Sequence, residues 1–492
     1  MHKLQYLIFF LAITCEQAIA QTLPQEGSDL NYRLIGFSFP NAKNKDNYVL
    51  EIAKGNYSSR DSFRKNIIKA YTCNSNKVIG EVPSFGEQYT WRIINKDTKL
   101  PMGEMHHFST AYITEVDTSK VRLNILKHAE RYKDAYVLPD NNKVLYDMKG
   151  QPIWFLPDKA GRADVVSNLQ ITPFGTITFL LADRAYEVNY NGDVLWQGPN
   201  NGEVSGDSVE HYHHDFARLA NGHYMVLGNE PVALHRKLFN SDTFLHVDDS
   251  VLNQKSLFGT VIEYDEKGKV VWHWKSYEYY LHSDLINYNP VYPDVPETID
   301  LHENAFYFDE NKKVVYVGFK NISRIIKIKY PEGNVIAGYG EVYKRGEKPK
   351  GNGLFCGQHS ISAGEENNLY VFNNNTCKPG ETPTLLCIKE QEKAKMGIQK
   401  TWEYICTVET KEKKKLNRGG NIEVLPDKCL FACLGGAYSK IFIIDSDKDI
   451  LWSALPEKWN AMEMKWEAIA QYRASIVMDK NELEKTIWNI MK

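Results

Sequence analysis

Three stretches of the chain gather residues that could do chemistry. The first is EHYHHDFARLANGHYMVLGNE, from Glu210 to Glu230, with His211, His213 and His214 in four residues and Asp215 directly after them. The second, DLHENAF, carries His302 and Asn304, and the third, FCGQHSI, carries Gln358 and His359. Downstream of the second, VVYVGFKNISRIIKI adds Lys320 and Arg324. One use for three imidazoles is a zinc site with an open position. No short ligand pair beyond His211-x-His213 supports that use, so no metal is expected. The other use is nucleophilic: a neutral imidazole attacks an electrophile, holds the group covalently and passes it on. Neighbouring cations then stabilise the oxyanions that form. This suits sulfuryl or phosphoryl transfer, in which catalysis is mostly positioning and charge stabilisation. There is no Walker loop, and Gly338-Tyr339-Gly340 lacks the third glycine of a nucleotide loop, so no nucleotide cofactor is expected.

Residues so far apart meet only if a repeated element brings them together. VLYDMKGQPIW ends at Trp154, VNYNGDVLW at Trp196, VIEYDEKGKVVW at Trp272 and IIDSDKDILW at Trp452. Each reads as strand, polar turn, strand, and in the first three a glycine stands four residues before the tryptophan (Gly150, Gly192, Gly268). Two looser copies lie between, one with Ala337 in place of the tryptophan and one with a longer turn before Trp402. A further hairpin precedes each copy. Four strands per unit, repeated six times without long helical patterns, predict an all-β six-bladed β-propeller. One unit cannot bury both faces alone, whereas stacking around an axis buries them and hides sheet edges. The strand YRASIV, Tyr472–Val477, is expected to pair back into the first blade and close the ring. The three histidine stretches then open the innermost strands of successive blades and face a common axis. A lone histidine in a strand is usually a surface or satisfied core residue; three at equivalent edges argue for a shared pocket.

The rest of the chain divides around this repeat. Residues 1–20 join a short basic start, the apolar run Tyr6–Ile13 and Ala18-Ile19-Ala20, which together read as a cleaved secretory signal. A lipoprotein would use Cys15, but Thr14 stands where a small Gly, Ala or Ser is wanted. The expected location is therefore exported, periplasmic or secreted, with no transmembrane helix in the mature chain. Residues 28–117 lack the repeat, and their strands YVLEIA, YTWRII and HHFSTA predict a small immunoglobulin- or fibronectin-like β-sandwich with a positioning or interface role. The propeller is expected over 118–480, followed by a C-terminal tail, 481–492, able to form one short helix. The basic run Lys411–Lys415 reads as a solvated loop. A net charge of −3 argues against nucleic acid as a partner. Seven cysteines remain once Cys15 is removed, six of them after residue 355, and their pairing is open.

The blocks HHDFARLANGHYMVL, LHENAFYFDENKKVVYVGFKNISRIIKI and GQHSISAGEENNLYVFNN resemble, in order and spacing, the signature blocks of the arylsulfate sulfotransferase family. The likeness runs over about residues 118–478. It implies a six-bladed propeller that moves a sulfuryl group from a phenolic sulfate ester to a phenol without a nucleotide donor or a metal. It also implies a ping-pong cycle in which His359 becomes a sulfohistidine. By position, His302 and His214 would contact sulfuryl oxygens or assist proton transfer at the phenol, with His213 a substitute for His214. Asn304 would support His302, Gln358 lies beside the nucleophile, and the partners would be a phenolic sulfate donor and a phenol acceptor, with a homodimer conceivable. The family has an arginine eighteen residues after the second histidine, where this chain has Lys320. Lysine keeps the charge but loses the planar fork, and Arg324, four residues on, is the nearest guanidinium in sequence. The family's FDNG is here Phe372-Asn373-Asn374-Asn375. Two alternatives follow: an impaired propeller that binds sulfated or phenolic ligands, and a metal-dependent hydrolase.

Overall fold

The computed structural model describes residues 21–40, 47–157, 165–233, 255–281, 300–340, 353–377, 381–390, 398–408 and 418–491. The expected signal segment, Cys15 and the run Lys411–Lys415 lie outside the described residues. The chain forms two compact units, Met1–Ala111 and Tyr112–Lys492. Among the described residues no helix is long and apolar enough to cross a membrane.

In the first unit a five-stranded sheet joins Ser28–Leu30, His106–Thr110, Gln88–Asn95, Tyr48–Lys54 and Ile67–Cys73, in that order. A two-stranded sheet pairs Leu34–Ser38 with Lys77–Glu81. Phe37 from the smaller sheet meets Trp91 of the larger edge-on, 5.2 Å between ring centroids, and Phe108 at 6.0 Å.

The second unit is all-β apart from short helical segments, and its sheets are antiparallel and propeller-like. Six strands open or close successive sheets: β1 (Val166–Ile171), β2 (Phe216–Arg218), β3 (Glu303–Asp309), β4 (Ser360–Ala363), β5 (Asn421–Val424) and β6 (Ala474–Val477). From β1 to β4, each heads a four-stranded meander. The meander headed by β5 is enlarged by Lys465–Ala468 and by Val121–Lys127. As the sequence predicts, β6 pairs with Tyr136–Pro139 and completes the first sheet from the far end of the chain. The tail folds as one helix, α1 (Lys480–Trp488), capped by the Asp479 side chain.

The recurring glycine and tryptophan each have a local cause. Gly150, Gly192 and Gly268 all sit at positive φ, in turns closed by their N–H groups to Asp147, Asn189 and Asp265. A side chain there would be strained. The fourth turn makes the same bond with Lys448 at positive φ, so the glycine is favoured rather than obligatory. Four of the tryptophan indoles reach across to the turn of the following sheet, whereas Trp196 makes no such bond and stacks on Tyr224, 3.8 Å between ring centroids. Trp154 donates to the Tyr190 carbonyl at 2.7 Å, Trp272 to Pro331 at 2.8 Å and Trp402 to Ser446 at 3.0 Å. Trp452, from the last copy, donates to Met148 in the first turn at 3.2 Å. Apolar clusters fill the spaces between sheets; Met225, Leu227 and Phe258, for example, pack on Val315, Val317 and Ile326.

Candidate active site

His214 stands two residues before β2 and His302 immediately before β3, both in the left-handed region at φ 58° and 57°. Histidine is among the few residues that enter that region, and strained backbone concentrates at functional sites. Their rings meet edge to face with centroids 4.9 Å apart. His213 packs on the other side of His214, and the two Nδ1 atoms lie 2.7 Å apart. The proton positions follow from the partners. His213 Nε2 lies 3.2 Å from the Gly228 carbonyl, which only accepts, so His213 is protonated on Nε2. Its Nδ1 then accepts from His214 Nδ1–H, and the unengaged nitrogen of His214 is Nε2, with a lone pair. His302 differs. Its Nδ1 faces the carboxylate of Asp300 at 3.3 Å, while its backbone N–H donates to the other carboxylate oxygen at 2.7 Å. Burial opposes ionisation of Asp300, but the hydrogen bonds and charge of His302 hold its carboxyl below the ordinary value.

His359 precedes β4 and is 2 % exposed. Its Nδ1 lies 2.8 Å from Asn374 Oδ1 and 3.2 Å from the Gly357 carbonyl. Asn374 is itself oriented, because its amide nitrogen donates to the Gly419 carbonyl at 3.0 Å. Both neighbours of Nδ1 are acceptors, so the proton sits there and Nε2 keeps its lone pair. The disulfide Cys356–Cys377 joins the segment leading into His359 to the one that follows Asn374. Cys73, Cys387, Cys406, Cys429 and Cys433 are free.

His213, His214 and His359 are held neutral. Burial pushes His213 down to about 4, with help from His302. Burial, then His213 and His302, pushes His214 well below its ordinary value. For His359 the same direction comes from burial and then from the charge of Lys320, against the opposing hydrogen bond to Asn374. A buried group whose charge is suppressed by desolvation and by neighbouring cations is a candidate for a functional site.

The remaining sequence candidates go to several places. Lys320 is 8 % exposed, its N–H donates to the His302 carbonyl at 2.9 Å, and its ammonium acts on His359. Asn304 does not support His302; its amide donates to the Gln358 carbonyl at 2.7 Å and so braces the strand that carries His359. The Gln358 amide donates to the backbone carbonyls of Phe319 and Arg324, at 3.1 and 2.9 Å, and is committed to the scaffold. Arg324 is buried, and its charge acts on the phenol of Tyr280. His211 pairs with Asp207 at 3.2 Å. Among the described residues no three His, Cys, Asp or Glu side chains are arranged to hold a metal ion.

Four site residues escape sequence reasoning. Asp300 is two residues before His302, and Asn374 falls in the altered FDNG block. Tyr472 puts its ring against His214 and His359, at centroid distances of 5.8 and 6.4 Å. Arg473 follows it. A charged residue at the head of an apolar strand was the available signal, since such groups are buried only when paired.

No curated protein matches the chain. Among solved structures, a protein of unknown function from Bacteroides caccae aligns at 11% identity over 65% of this chain and 93% of its own, with a TM-score of 0.38. An auxiliary nutrient binding protein from Bacteroides thetaiotaomicron VPI-5482 aligns at 10% identity over 93% of this chain and 97% of its own, with a TM-score of 0.35. Neither likeness is close enough to argue from. The arylsulfotransferase (ASST) family model matches residues 114–408, a span that begins before the first sheet of the second unit and contains His214, His302, Lys320, His359 and Asn374. The chain belongs to the arylsulfotransferase family.

Proposed function

We propose that this protein is an aryl-sulfate sulfotransferase, working by a ping-pong cycle through a sulfohistidine at His359. The observation that carries the reading is the convergence of three imidazoles, one of them, His359, held neutral by burial and the charge of Lys320 and fixed by Asn374 with its lone pair on Nε2. A phenolic sulfate enters with its ring beside Tyr472. His359 Nε2 forms a bond to sulfur as the sulfur–oxygen bond to the ring breaks, and that electron pair leaves on the phenolate oxygen. His302, backed by the Asp300 carboxylate, gives its Nε2 proton to that oxygen. Asn374 Oδ1 stabilises the positive charge that develops on the His359 ring. Lys320 neutralises the sulfuryl oxygens. His214 in its neutral form offers a lone pair, so it serves the phenol hydroxyl rather than a sulfuryl oxygen. A second phenol returns a proton to His302 and takes the sulfuryl group by the reverse path. Phenols are favoured because a phenolate leaves far more readily than an alkoxide.

The scaffold for this cycle is a six-bladed propeller closed by β6 and by the Trp452–Met148 bond, with an export signal before it. The disulfide beside the site supports an oxidising compartment. A second reading, a binder of sulfated or phenolic ligands with little turnover, draws on Lys320. Loss of the bidentate fork weakens charge-assisted bonding by about 1.5–3 kcal/mol. One experiment separates the two. Purified protein is given para-nitrophenyl sulfate with and without phenol. Transfer predicts nitrophenolate release that phenol accelerates and that His359→Ala abolishes. Binding without release, restored to turnover by Lys320→Arg, would favour the second reading.

A further inference from the structure

We infer that Arg473 is a positioning residue of this site, because a single guanidinium is bonded to all three of the chain segments that carry the candidate imidazoles. The inference rests on the sulfuryl-transfer reading above. Nη1 pairs with Asp215 Oδ1 at 2.9 Å, and Asp215 directly follows His214. Nη2 donates at 3.0 Å to the carbonyl of Asn304, two residues beyond His302. It also donates at 3.1 Å to the carbonyl of His359 itself. Asp215 extends the network, since its oxygens also accept from Asn168 Nδ2 at 3.0 Å and from the Phe306 N–H at 3.1 Å.

The arginine is in turn fixed from behind. The buried carboxyl of Asp140 accepts the N–H groups of Tyr472 and Arg473, at 3.1 and 2.8 Å. The C-terminal strand therefore does two jobs. It completes the first sheet through β6, and it sends one side chain to the backbones that aim the imidazoles. Only the planar fork of arginine spans several acceptors at fixed angles; an ammonium on a flexible stem does not. A buried ion pair is weak evidence for stability as such, because desolvation offsets the attraction. Geometry and charge at the site explain it better. The cation also faces His359 together with Lys320 and His302, and faces His214 together with His213 and His302, so it disfavours protonation of both rings.

Two variants test this. Arg473→Lys keeps the charge and loses the fork. The double variant Arg473→Gln with Asp215→Asn removes both charges together, so no unpaired ion is left buried if a single charge loss prevents folding. Each is assayed for thermal unfolding, for kcat and KM with para-nitrophenyl sulfate, and for the titration of the His359 ring by nitrogen-15 NMR without substrate. Positioning predicts that Arg473→Lys folds, keeps the low His359 midpoint, and loses about a hundredfold in kcat with little change in KM. The double variant loses at least as much kcat, and its His359 midpoint rises toward the ordinary histidine value. Variants that unfold at lower temperature but retain wild-type kcat and His359 titration would overturn the inference. If the wild type releases no nitrophenolate, the transfer reading fails by itself. The ring titration then decides alone: a risen midpoint in the double variant supports the role of Arg473, and an unchanged one ends it.

Discussion

Asn374 decides which nitrogen of His359 keeps its lone pair and, in the proposed cycle, meets sulfur. With its carbonyl on Nδ1, the lone pair is on Nε2, and the ring cannot turn without breaking the bonds of Nδ1 to Asn374 and to the Gly357 carbonyl. Asn374→Ala should lower kcat by roughly ten- to a hundredfold at little cost in substrate affinity, as removal of an orienting partner does elsewhere. Steady-state kinetics on the folded variant check this. A second buried group makes a pH prediction. Glu303, beside His302 in sequence, packs against Gly259 and the Ser276 hydroxyl, and burial raises its carboxyl from 4.5 to about 8. Its folded-state value lies above its unfolded one, so its contribution to stability is complete below about pH 4.5 and is lost as pH rises to about 8. Glu303→Gln should match the wild type in acid and become progressively the more stable protein across that window, as followed by unfolding midpoints. At this scale the histidines are legible in the sequence, because imidazole at matched edges of repeated strands has few structural uses. Asn374, Asp300 and Arg473 are not, because asparagine, aspartate and a single arginine have many ordinary uses in turns and strand ends. Only the fold shows which acceptor each one faces.

The hairpin is legible for a different reason. A turn that closes on positive φ selects glycine, and an indole that reaches the next sheet's turn, as Trp154, Trp272, Trp402 and Trp452 do, favours tryptophan, so both recur. The reading of Ala337 as the copy without tryptophan also follows, since alanine has no donor to offer. What the spacing cannot convey is the bond itself, which joins residues in different sheets. Trp452→Phe removes the donor while leaving the Met148 carbonyl buried beside it. The expected loss is about 1–3 kcal/mol, measurable by denaturant unfolding with unchanged slope. Equal loss from Trp402→Phe, whose donor sits at an exposed turn, would mean that packing rather than the hydrogen bond is responsible.

For the whole molecule, the last strand matters most. β6 returns across more than three hundred residues to pair with Tyr136–Pro139, and the Trp452 bond returns to the first turn beside it. This long-range closure is legible in YRASIV only as an unpaired apolar strand in need of an edge. The first unit is visible in sequence as a break in the repeat, and its strands follow alternating apolar residues, but nothing in its composition states a task. The site, by contrast, is spread over the second unit: His214, His302 and His359 each precede the first strand of a different sheet. The direct test of the account is therefore chemical and local. Protein mixed with an aryl sulfate in the absence of any phenol acceptor is quenched at neutral or alkaline pH, digested and sequenced by mass spectrometry. The account predicts one added sulfuryl group, on His359, that disappears when phenol is supplied before quenching. Nitrophenolate release with the label absent from His359, or carried by His214 or His302, would contradict it.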